Sequence, residues 1–86
     1  MKFNLNFYCD PSHGWLGVPH NLVNDLVISS DISNYSYRDE NFAYLEEDCD
    51  LSLFMDKAKA KGWNIAFTEK HTNQDSPIRN KSRYKC

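Results

Sequence analysis

CDPSHGWLGVP, residues 9–19, is the stretch on which the fold turns. Cys9, Asp10 and His13 fall within five positions, which invites a catalytic or metal-binding loop. The flanks argue for a turn instead. Upstream, Phe3, Leu5 and Phe7 alternate with Asn4, Asn6 and Tyr8, the period-2 pattern of a strand with one buried face. Downstream, WLGVP (residues 15–19) is a short apolar run stopped by a proline. Between them every residue of DPSHG is a turn former: Asp10 accepts backbone hydrogen bonds, Pro11 fixes its own φ, and Gly14 is free to take φ > 0. Two strands around such a segment predict a β-hairpin.

Beyond Pro19 the period changes. Val18, Leu22, Val23, Leu26 and Val27 recur at helical spacing, with Pro19 at the helix start, and this short helix ends near Ser29, Ser30 and Asp31. A second hairpin follows: residues 33–38 with Tyr35 and Tyr37 on one face, a turn at Asp39, Glu40 and Asn41, and a return strand over 42–47. Leu51, Phe54, Met55 and Ala58 then form a helical stripe, with Asp48 or Asp50 as its cap, lysines 57, 59 and 61 in its last turns and Gly62 as its stop. Trp63, Ile65 and Phe67 alternate on a last strand. From residue 70 onward apolar content almost vanishes, which predicts a basic, polar tail, extended or partly disordered, after a single domain over residues 1–69.

The order strand, strand, helix, strand, strand, helix, strand predicts an α+β two-layer sandwich. Its antiparallel sheet has about five strands and carries both helices on one face, and the leading topology is ferredoxin-like (split βαβ). Eighty-six residues suffice for one core, and a composition of 41% hydrophobic and 26% charged residues is that of an ordered globular protein. No apolar run approaches a membrane span, and the alternating N-terminus is unlike a secretory h-region, so the expectation is a protein made and kept in the cytoplasm. Three widely spaced cysteines, Cys9, Cys49 and Cys86, predict free thiols and no disulfide framework.

Chemistry is weakly marked. Cys9, Asp10, His13, His20 and His71 could ligate a metal, but their spacing is no recurrent zinc pattern, so neither metal nor cofactor is expected. Cys9 with His13 as base lacks an orienting group or an oxyanion hole, and no phosphate-binding or metalloprotease motif is present, which predicts a non-catalytic protein. An RNA-binding sheet would carry a basic, aromatic central strand; NFAYLEED (residues 41–48) is aromatic but acidic, so direct nucleic-acid binding is not expected.

Charge layout is more informative. Residues 39–56 hold seven carboxylates and no Lys or Arg, whereas residues 70–86 hold five basic residues against one Asp. Asp39, Glu40, Glu46, Glu47 and Asp48, with Tyr44, are the candidate partner-binding residues: an acidic ledge along a strand pair that steers toward a basic surface. Tyr8, Tyr44 and Tyr84 are the aromatic residues expected to add affinity.

HGWLGVP (13–19), NYSYRDENFAYLEEDCD (34–50) and KHTNQDSPIRNKSRY (70–84), in this order, resemble small accessory proteins encoded by phages and plasmids, of the anti-defence, anti-CRISPR-like kind. The resemblance implies a protein of a mobile element that binds and blocks a host protein or nucleoprotein complex with a basic surface, a CRISPR effector being the most concrete case. Two other readings stand beside it. One is a small metal-binding protein or enzyme using Cys9, His13 and His20. The other is a structural or regulatory accessory protein, as monomer or as homodimer through a sheet edge.

Overall fold

The structure, a computed structural model, describes residues 1–84; Cys86 lies outside the described residues. Six strands, two α-helices and two 3-10 turns form an α+β fold. The strands are β1 (Lys2–Cys9), β2 (Gly14–Pro19), β3 (Tyr37–Arg38), β4 (Phe42–Glu46), β5 (Asn64–His71) and β6 (Ser82–Arg83). Helix α1 (His20–Asp25) follows β2, and α2 (Asp50–Ala60) links β4 to β5.

The hairpin predicted around residues 10–14 is present, with Phe7 opposite Leu16 and Cys9 opposite Gly14. Gly14 is needed there for a different reason from the one its turn setting suggests. Among the described glycines only Gly62 has positive φ. At Gly14 a Cβ would meet the Phe7 ring at 2.5 Å, so the requirement is close packing.

The sheet order is β5-β1-β2-β4-β3-β6. It is mixed and not wholly antiparallel, because β5 runs parallel to β1 with Phe3 opposite Ile65 and Leu5 opposite Phe67. The reason is the α2 crossover, which carries the chain past β2 and β1 and lands it beyond them. Likewise β2 and β3 both pair antiparallel with β4 and so are parallel to each other.

Cross-strand partners share a face, so the registers sort the side chains. One face carries Leu5, Leu16, Val18, Ala43 and Leu45 and packs against Leu22, Val23 and Leu26 of α1 and Phe54 and Ala58 of α2. Both helices therefore cover the same side. The other face carries Tyr8, Trp15, Tyr44 and Tyr37, in a separate cluster completed by Ile78.

Ile78 belongs to the segment expected as a tail. Its described part, to residue 84, is folded: β5 continues to His71, a 3-10 turn spans Pro77–Asn80, and β6 pairs with β3. The chain thus crosses the second face of the sheet as a strap from one edge to the other. Arg79, Lys81 and Arg83 lie over the rings of Trp15, Tyr44 and Tyr37, at 5.1, 5.2 and 4.7 Å from the ring centres.

Helix ends also differ from expectation. Gly62 stops α2 as predicted: at φ 79° it sits in a Schellman motif, with Gly62 N–H donating to Lys59 and Trp63 N–H to Ala58. Asp50 is the first helical residue and not a cap. Its carboxylate is buried and accepts hydrogen bonds from Ser33 N and Oγ and from Ser36 Oγ, tying α2 to the approach to β3. The expected α1 stripe breaks at Val27, which is 82% exposed. α1 ends in the same motif as α2, Val27 N–H to Asn24 and Ile28 N–H to Val23, but with valine at φ 56° where glycine belongs. A β-branched residue in that conformation is strained. Val27→Gly should raise the unfolding free energy by about 1 kcal/mol, read as a higher urea midpoint with unchanged slope.

Candidate functional site

The hairpin turn organises its surroundings through Asp10. Oδ1 accepts the backbone N–H of Ser12 and of His13, each at 2.9 Å. Oδ2 accepts Ser76 N–H at 3.0 Å and Arg79 Nε–H at 2.7 Å, and Arg79 Nη2 donates to Oδ1 at 3.2 Å. The side chain is fully buried. The Arg79 guanidinium, then the Ser76, His13 and Ser12 amides, outweigh burial and hold its carboxyl well below the usual range. Asp10 is therefore the anchor that fastens the strap to the turn.

The register that sets Trp15 opposite Glu46 brings the start of β2 to the end of β4. His13 Nδ1 lies 3.3 Å from Glu46 Oε1, and ligand atoms of His13, Glu46 and Asp48 all fall within 4.8 Å of one another. Two groups singled out separately, His13 and the acidic run, thus meet. Beside them is a cavity of about 250 Å³ lined by His13, Trp15, Tyr35, Tyr37, Glu46, Arg79 and Arg83. His20 is not part of the cluster; its Nε2 pairs with Asp39 O at the opposite end of β2. The set Cys9, His13 and His20 is not brought together.

Carboxylates crowd this end of the sheet. The Cys9 thiol is pushed up by burial and by the charges of Glu69, Glu47 and Asp10. The Cys49 thiol, on an exposed residue, is pushed up by partial desolvation and by the charges of Glu46, Asp50 and Asp48, with Glu46 also its hydrogen-bond partner. Both are unpaired, and both are held as thiols, the wrong state for a nucleophile at neutral pH. Glu47 and Asp48 are exposed and form no ion pair among the described residues.

The rest of the expected ledge is used internally. Asp39 caps its own turn through Asn41 and Phe42 N–H, accepts from Tyr44 Oη at 2.6 Å and pairs with Lys81 at 3.1 Å. Burial pushes its carboxyl up, but these donors outweigh burial and hold it low. Tyr44 is buried, and burial with the Asp39 charge raises its hydroxyl. Glu46 is buried as well, which leaves Glu40 alone at the far end of β4. Tyr8 and Tyr84 are half-buried; the exposed tyrosine is Tyr35, at 64%. Trp15, Tyr37, Arg79 and Arg83 build the cavity without any local pattern that marks them.

No helix is long and apolar enough to cross a membrane. Comparison of the chain with protein-family models, curated proteins and solved structures finds no match.

Proposed function

We propose that the protein is a non-catalytic binding protein of a mobile element that docks on a basic surface of a host defence complex, a CRISPR effector being the most concrete case. The observation that carries this reading is the convergence of Glu46, Glu47, Asp48 and Glu69 at the hairpin end of the sheet, where two thiols feel their field and where Glu47 and Asp48 are exposed without ion pairs. The acidic surface is then one end of the sheet and not a ledge along it. Nucleic-acid-binding grooves of host complexes are lined with Lys and Arg, and an acidic end competes for them. The frame is a ferredoxin-like order with β1 inserted between β5 and β2. The protein acts in the host cytoplasm, as a monomer or as a homodimer through the long β5 edge.

The test is a pull-down from host lysate followed by association kinetics with the captured complex. Glu47→Lys with Glu69→Lys, both exposed positions, should slow association about tenfold or more at low salt, with the difference shrinking as salt rises past a Debye length of about 8 Å. A folded double variant that associates as fast as wild type at low salt removes the acidic end as the docking surface.

A further inference from the structure

We propose that His13, Glu46 and Asp48 form a binding site for one divalent transition-metal ion, with zinc as the best fit. This goes beyond the docking function and does not depend on it.

The first observation is the burial of Glu46. Its side chain is only 7% exposed, yet no Lys or Arg among the described residues pairs with it. Arg79 lines the same cavity but is committed to Asp10. Buried charges are paired or coordinate a metal, and the side-chain partners of Glu46 are half-exposed His13 and the thiol of exposed Cys49. The second is the geometry to His13. Nδ1 and Oε1 are 3.3 Å apart, but the pair does not have hydrogen-bond geometry, and Nδ1 is buried without a hydrogen-bond partner. Two ligand atoms about 2.1 Å from a tetrahedral ion lie about 3.4 Å apart. The separation suits a shared ion better than a direct bond.

The third ligand is close and free to move. Asp48 is exposed, and a carboxylate oxygen of it lies within 4.8 Å of the His13 and Glu46 ligand atoms. Its backbone N–H donates to Glu46 Oε2 at 2.7 Å, which orients the buried carboxylate from behind, as outer-shell partners of metal ligands do. The fourth observation lies in the cavity wall. Trp15 is 2% exposed and its indole Nε1 has no hydrogen-bond partner. A three-ligand site leaves a position for water or an anion, and Trp15 lines the same cavity as His13 and Glu46. One imidazole with two carboxylates suits zinc or manganese; magnesium and calcium take oxygen ligands only.

The experiment is isothermal titration of the full, metal-stripped chain with zinc chloride, alongside thermal melts. One zinc per chain is expected, with a higher melting temperature and no displacement by excess magnesium. His13→Ala and Asp48→Asn alter exposed or half-exposed side chains, so both should stay folded by circular dichroism and lose about tenfold or more in zinc affinity. Changing Cys9, Cys49 and Cys86 together to Ser should leave binding intact. Absence of stoichiometric zinc, retention of affinity in both ligand variants, or loss of binding in the cysteine variant would each overturn the site.

Discussion

Phe54→Ala is expected to lower the unfolding free energy by about 3–5 kcal/mol. Phe54 is fully buried on α2, where its ring meets the sheet face carrying Leu5, Leu16 and Leu45. Truncation removes the largest apolar group joining helix to sheet, and the backbone on both sides is held by other contacts, so the void cannot collapse fully. A domain of this size has a total stability of only about 4–13 kcal/mol, so the variant sits near its unfolding threshold. Urea melts should show a reduced midpoint with unchanged slope, and Phe54→Leu should recover most of the loss. A melting temperature equal to wild type would show that α2 does not close the core.

Asp10→Ala should be nearly as severe, at about 3 kcal/mol, because five donors lose their acceptor and Arg79 keeps a partly buried charge without a partner. Its signature differs from that of a core cavity. The strap should loosen before the rest unfolds, so trypsin should cut at Arg79, Lys81 or Arg83 under conditions in which wild type resists. Tryptophan emission should also change as Trp15 loses its cover. The same carboxylate sets the acid limb. Asp10 and Asp39 both titrate lower in the folded state than in the unfolded chain, so the unfolded state binds protons first. Their contribution is complete above pH about 4, the ordinary carboxyl value, and drains away as pH falls toward the folded-state values. Asp10→Asn should give a flatter stability curve below pH 4; an unchanged acid limb would show that Asp10 does not contribute to it.

What could be read in advance is what repeats locally. Alternation at Phe3, Leu5 and Phe7, the stripe from Leu51 to Ala58 and the glycine after it each announce their element within a few residues. The parallel partnership of β1 and β5 has no such signature, since either side of β1 accepts a strand. The strap was opaque for a related reason. A single Ile78 among polar residues makes no period, and the rings over which Arg79, Lys81 and Arg83 lie are far away in sequence. At the site, the residues His13, Glu46 and Asp48 were each conspicuous, but their meeting depends on the β2–β4 register. The reading of Val27 as core failed because the signal that ends α1 is carried by a valine in a glycine's conformation.

The placement of β5 has a consequence for how the chain is made. Of the described strands Lys2–Cys9 is made before the others, yet it waits for a neighbour at Asn64–His71, and Asp10 waits for Arg79. Until residues 64–79 have been synthesised, β1 is an unpaired edge on one side and the Asp10 carboxylate lacks its Arg79 partner. Nothing N-terminal can finish early. Contacts between residues so distant in sequence form late and slowly, so closure of the sheet and of its hairpin turn waits for residues 64–79.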